Sequence, residues 1–126
     1  MSEISESYED YLKAIYLISQ GNKGGWTSNS EISNYLSVRP SSVTNMLHKL
    51  KRNDLIAWKP RKSLRLNKKG KEIALSIIKN YNCLYNFFLN VLKLQNKKII
   101  HKLSCEIEHH INSDISNALE NLVLES

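Results

Sequence analysis

The sequence predicts a mainly α-helical chain with one small two-stranded β element, and three observations carry this. Apolar residues recur at three- and four-residue spacing in six successive segments, the signature of helices with one inward face. Glycine and proline are scarce, at 4 and 2, too few for a many-turned β architecture or a disordered chain. One short stretch, residues 55–66, instead reads as strand, turn, strand. With 126 residues, 41% hydrophobic and 24% charged, the chain suits one compact domain or two small units sharing a core. The longest apolar run, around Phe87, Phe88, Leu89, Val91 and Leu92, is broken by Asn and Lys far short of the roughly 20 residues a bilayer span needs. Cys83 and Cys105 stand apart in a chain with no signal-peptide pattern. The expected setting is a reducing cytoplasm with no membrane partner.

Each element has its own justification. Ser7 precedes Tyr8, Tyr11, Leu12, Ile15, Tyr16 and Ile18, which places a first helix over residues 7–20, stopped by Gly21, Gly24 and Gly25. Ser28 or Ser30 can cap a short second helix carrying Ile32, Tyr35 and Leu36, with Glu31 near its positive end. Pro40 suits the first turn of a third helix, whose inner face is Val43, Met46, Leu47 and Leu50. Its outer face carries Ser41, Ser42, Asn45, His48, Lys49 and Arg52. Beyond Asn67 the pattern Ile73, Ala74, Ile77, Ile78, Tyr81, Leu84, Tyr85, Phe88 extends one long helix to about Lys93. Two more follow, over residues 96–110 and 113–124.

Charge points to a partner. Between residues 39 and 71 stand eleven basic residues and one acidic, a net of +10, so the remainder carries −4 of the total +6. Two short helices joined by a tight turn, the second basic outside, match a helix-turn-helix that enters a major groove. The ribbon at 55–66, tipped by Lys59, Arg61 and Lys62, matches a wing. Residues 1–72 are therefore read as a winged helix-turn-helix domain for double-stranded DNA. The base-facing candidates are Ser41, Ser42, Asn45 and Lys49, with Arg39, Arg52, Arg61 and Lys62 on phosphate. Pro40 starts the recognition helix, and Thr44 stands between packing and reading. Residues 73–126 form a helical layer too apolar to stand alone, which implies a homodimer on pseudo-palindromic DNA.

On the fifth helix Cys105, Glu108 and His109 stand at i, i+3 and i+4, so thiol, carboxylate and imidazole share one face and can converge on a cation; His101 lies one turn earlier. A fourth ligand must come from another helix, and the first offers Asp10. The ordinary alternative is a buried Cys beside a surface Glu-His pair. A catalytic reading, in which Cys105-x-x-Glu108-His109 imitates a metallopeptidase helix, lacks a phosphate loop or a nucleophile motif, so the chain is not read as an enzyme.

These stretches in this order resemble the DtxR/MntR family of metal-dependent transcriptional repressors over nearly the whole chain. The resemblance rests on Tyr8-Glu9-Asp10-Tyr11-Leu12, on Val38-Arg39-Pro40-Ser41-Ser42-Val43-Thr44, on Leu66-Asn67-Lys68-Lys69-Gly70 and on Glu108-His109-His110. It implies a winged helix joined to a helical metal-binding and dimerisation domain, with principal ligands at Asp10, Cys105, Glu108 and His109. Cys105 resembles the iron-responsive branch and Asp10 the manganese type. A soft thiolate favours Fe(II) over Mn(II) as the divalent ion. The chain departs from the family at Lys13 and Tyr81, where manganese-type members place Glu and His. The iron-type ancillary site would fall on Tyr81, Tyr85 and His101, of which His101 alone keeps a usual ligand type, so one ion per chain is expected. The alternative is a winged-helix regulator of the same architecture that has lost metal sensing.

Overall fold

Helices dominate the computed structural model, which describes residues 5–59 and 62–125. They run as α1 (Glu6–Ser19), α2 (Asn29–Leu36), α3 (Pro40–Arg52), α4 (Lys68–Asn86), α5 (Lys97–Ile107) and α6 (Ser113–Glu125), with strands β1 (Ile56–Trp58) and β2 (Leu64–Leu66) between α3 and α4. The mainly helical class with a β wing is as the sequence reads. The chain divides into two compact units between Ala74 and Leu75.

In the first unit, α1 starts one residue earlier than expected, because Ser5 caps it by accepting from the Tyr8 amide. Ser28, rather than Ser30, caps α2 in a reciprocal box: its Oγ accepts from the Glu31 amide at 3.2 Å, and the Ser28 amide donates to Glu31 Oε1 at 3.1 Å. Asn22 Nδ2 donates to the other oxygen of Glu31 at 2.8 Å. With Asn22 as the leading cause, these bonds hold the Glu31 carboxyl below its ordinary value of 4.5. The chain leaves α2 through Ser37 in the left-handed region, φ 56°, and Pro40 opens α3 at its first turn. Val43, Met46, Leu47 and Leu50 are buried, as their spacing requires, and meet Leu12, Ile15, Ile32, Leu55 and Leu64 in one core.

The wing is antiparallel, with Ile56 opposite Leu66, Ala57 opposite Arg65 and Trp58 opposite Leu64. Thr27 adds a one-residue bridge on the far side of β2, exchanging both backbone hydrogen bonds with Leu64 at 2.8 and 2.9 Å. This ties the turn before α2 to the wing. Asn67 caps α4: its Oδ1 accepts from the Gly70 amide at 2.9 Å, and its Nδ2 donates to the Asp54 carbonyl at 2.6 Å. Gly70 is required there, because a Cβ would lie 2.2 Å from the Leu55 carbonyl oxygen.

In the second unit, the long helix keeps its α geometry to Asn86 and widens into a π-helical turn over Phe87–Val91, where the Leu92 amide donates five residues back to Phe87. Ile77, Leu84, Cys83 and Ile100 are buried. Burial pushes the Cys83 thiol up, with Glu120 adding to the effect. α5 is shorter than its expected span: Ile107 is its last residue and Glu108 its C-cap. Leu92, Leu94, Ile99, Ile115, Leu122 and Leu124 remain exposed. No helix among the described residues is long and apolar enough to cross a membrane.

Candidate DNA interface and metal centre

On α3, Arg39 (its N-cap), Pro40, Ser41, Ser42, Asn45, Lys49 and Arg52 are exposed. The side chain of Thr44 is half-buried and engaged: its Oγ1 donates to the Pro40 carbonyl at 3.1 Å and accepts from Asn29 Nδ2 at 2.9 Å. Asn29, the first residue of α2, was not singled out from sequence. Its position just after a capping serine, facing the start of α3, is the signal that could have found it. A concave face between α2, α3 and the wing is lined by Ser28, Asn29, Thr44, His48, Trp58 and Lys62. His48 packs edge-on against Trp58 with ring centres 4.8 Å apart, so the recognition helix and the wing share an aromatic contact. Lys62 is exposed; Arg61 lies outside the described residues.

The second unit carries the thiol, carboxylate and imidazole at the end of α5 and just beyond it. Cys105 stands on the last turn of α5, Glu108 caps it, and His109 follows. The Glu108 carboxylate is 1% exposed, with His109 Nε2 at 3.5 Å from its Oε2. A carboxylate this deeply buried calls for positive charge beside it. Ser104, fully buried one turn before Glu108, has a hydroxyl with no hydrogen-bond partner among the described residues. Thiolate, carboxylate and imidazole are ligands that divalent transition ions accept, so this donor set and its burial fit such an ion. Asp10 lies on α1 in the first unit and is exposed. Lys13 is half-buried on the same helix.

His101 is one turn from Cys105, with Sγ 3.6 Å from its Nε2. Its Nδ1 is in a 2.7 Å hydrogen bond with the Tyr81 hydroxyl from α4. Desolvation, then the nearby Cys105, Tyr85 and Glu108, raise the Tyr81 hydroxyl above its ordinary 10.0. Tyr81 therefore stays a neutral phenol, and one His101 nitrogen is already bonded within the protein.

Exposed cationic helix, wing and buried donor set together define a class: a DNA-binding regulator with a metal-binding helical domain. Residues 3–64 match the family model described as iron dependent repressor, N-terminal DNA binding domain, and residues 67–125 match iron dependent repressor, metal binding and dimerisation domain. The chain belongs to the iron-dependent repressor family of metal-dependent transcriptional regulators, as the DtxR/MntR resemblance implied. A helix-turn-helix-type transcriptional regulator of Methanocaldococcus jannaschii is 33% identical over 118 residues, covering 93% of this chain and 92% of its own. The helix-turn-helix-type regulator MntR of Geobacillus thermodenitrificans is 32% identical over 117 residues, 93% of this chain and 80% of its own. Among solved structures, that of the manganese regulator SloR superposes with a TM-score of 0.75 at 28% identity, over 94% of this chain. The chain spans about half of that structure, 54%. One divalent-metal-binding and dimerisation domain thus follows a DNA-binding domain along the chain.

Proposed function

We propose that the protein is a repressor that binds pseudo-palindromic double-stranded DNA as a homodimer when it holds one divalent ion per chain, Fe(II) in preference to Mn(II). The observation that carries the metal half is the buried Glu108 carboxylate beside His109, one turn from Cys105. Cys105, Glu108 and His109 are the ligands, completed by Asp10 from the winged unit, a residue the family resemblance supplies. Cys105 argues for Fe(II), since a thiolate suits it better than the harder Mn(II). Tyr81 and Tyr85 support a single ion, because they leave His101 as the one usual ligand type among the ancillary positions.

On the DNA side, the exposed Ser41, Ser42, Asn45 and Lys49 read bases, with Asn45 able to pair bidentately with adenine. Arg39, Arg52, Arg61 and Lys62 hold phosphate. Thr44 fixes the start of α3 through Asn29 and Pro40 rather than reading a base. In a dimer, two recognition helices must lie about 34 Å apart to enter successive major grooves. Asp10, Cys105, Glu108 and His109 would present the charge and lone pairs that hold the ion, and its coordination would supply the coupling between metal level and DNA affinity. A coupling of about 1–3 kcal/mol would tighten operator binding roughly 5- to 150-fold.

An anaerobic Co(II) titration of metal-free protein tests this, with Cys105→Ser as control. The expected result is one equivalent per chain and a thiolate charge-transfer band that the variant lacks, followed by metal-dependent gel shift of an operator half-site pair. No saturable Co(II) binding would overturn the metal half and leave a DNA-binding regulator that answers to something else.

A further inference from the structure

Asn80 has no role in reading DNA and is not itself a ligand, yet it is a polar side chain only 6% exposed in the interior of α4. A buried carboxamide must find partners, and this one finds three in the same neighbourhood. Its Nδ2 donates to the Glu108 carbonyl at 2.9 Å and to the Ile111 carbonyl at 3.1 Å. Its Oδ1 accepts from the hydroxyl of Ser116, a fully buried residue of α6.

These partners bracket one short segment. α5 has ended at Ile107, the ladder closes with the Glu108 amide on Ser104, and α6 begins at Ser113, so residues 109–112 lie beyond it. One carboxamide clamps that segment at Glu108 and again at Ile111, and His109 lies between the two clamped carbonyls. Cys105 needs no such help, since it sits inside the last turn of α5. Glu108 stands at the cap and His109 in the turn beyond it, and Asn80 holds the carbonyls of Glu108 and Ile111 on that stretch. Ser116 in turn holds the carboxamide so that its amino group faces both carbonyls.

We infer that Asn80, oriented by Ser116, is a positioning residue for the metal centre, presetting the backbone of Glu108 and His109 in the metal-free protein. The inference rests on the proposed assignment of Glu108 and His109 as ligands. Groups outside the ligand shell that orient the ligands change metal affinity by about 10- to 100-fold when removed.

The test is Co(II) titration by visible absorption on the full chain, wild type beside Asn80→Asp and Ser116→Ala, with circular dichroism and thermal unfolding of each metal-free protein. Asn80→Asp keeps the acceptor for Ser116 and loses both donors. It is expected to bind Co(II) about 10- to 100-fold more weakly with altered d–d bands. Ser116→Ala, which removes one hydrogen bond and leaves both donors, is expected to weaken binding roughly 2- to 10-fold. A merely structural role would lower the unfolding temperature and leave affinity and spectrum unchanged; folded variants that behave so overturn the inference. If Asn80→Asp does not fold, Ser116→Ala decides: wild-type affinity and spectrum in that variant overturn it too. If the wild type itself takes up no Co(II), the proposed ligand assignment has failed, and the positioning role falls with it.

Discussion

Gly70→Ala sets two magnitudes against each other. In an ordinary helix the change is favourable by about 1 kcal/mol, because alanine loses less backbone entropy. At Gly70 the added Cβ would stand 2.2 Å from the Leu55 carbonyl oxygen, 3.2 Å from its carbon and 3.4 Å from Leu66 Cδ2. The obstacle is backbone, held by the Asn67 amide at 3.1 Å, so no side-chain rotation relieves it. Either α4 moves away from the end of α3, or the Asn67 link and the cap to Gly70 are stretched. Overpacking costs about 1–3 kcal/mol and one weakened hydrogen bond about 0.5–1.5 more. Set against the helix gain, the net is a loss of about 2 kcal/mol, or a fall in Tm of roughly 5–10 °C. Thermal unfolding by circular dichroism measures it, with Gly21→Ala as control, where the nearest atom would be 3.8 Å away and the change should stay within about 0.5 kcal/mol. An unchanged or raised Tm in Gly70→Ala would refute the reasoning, since helix propensity would then outweigh the contact.

Other outcomes follow from the same geometry. Glu31 has its pKa lowered in the folded state, chiefly by Asn22, so its contribution is present above its ordinary 4.5 and is lost as pH falls through the lower folded value; Glu31→Gln should flatten the acid limb of a stability-against-pH curve below 4.5, and an identical limb would count against the capping box. Asn45→Ala should relax specificity at one base position by about 1–3 kcal/mol in binding-site selection, whereas equal weakening on operator and random DNA would make Asn45 a backbone contact. Lys62→Ala should weaken binding on all sequences and reduce the salt slope of log K by about 1; an unchanged slope would remove Lys62 from the phosphate contacts. Cys105→Glu, replacing a soft ligand by a hard one, should raise affinity for Mn(II) relative to Co(II) in competition titrations, and an unchanged ratio would take Cys105 out of the ligand set.

The parts of the fold that follow a period were legible, and those set by single contacts were not. Val43, Met46, Leu47 and Leu50 share one face by spacing alone, and all four are buried in the first core. The Thr27 bridge to Leu64 is one residue long and has no pattern to show, because its register comes from β2 and not from its own sequence. The π-helical turn at Phe87–Val91 is equally silent, as one widened turn leaves the apolar spacing on either side intact. Asn80 did carry a signal. It falls three residues after Ile77 and four before Leu84, both buried, so the helical period placed a carboxamide on the inner face. The i, i+3, i+4 spacing of Cys105, Glu108 and His109 was equally visible, but the end of α5 at Ile107 was not, as no glycine marks the stop.

That early end changes what the spacing means. Within a continuing helix, ligands at i, i+3 and i+4 are aligned by the ladder itself, and metal affinity would depend on little besides their identity. Here the ladder supports Cys105, reaches Glu108 through its amide bond to the Ser104 carbonyl at 3.0 Å, and ends before His109. The third donor then depends on the turn into α6, where Asn112 caps the next helix through the Ile115 amide at 3.0 Å and Asn80 holds Ile111. An ion bound by all three would stabilise the folded state in proportion to the logarithm of its concentration over its Kd. Order already present in the turn does not have to be established on binding, so the affinity of the centre and the stability of the α5–α6 turn should rise and fall together.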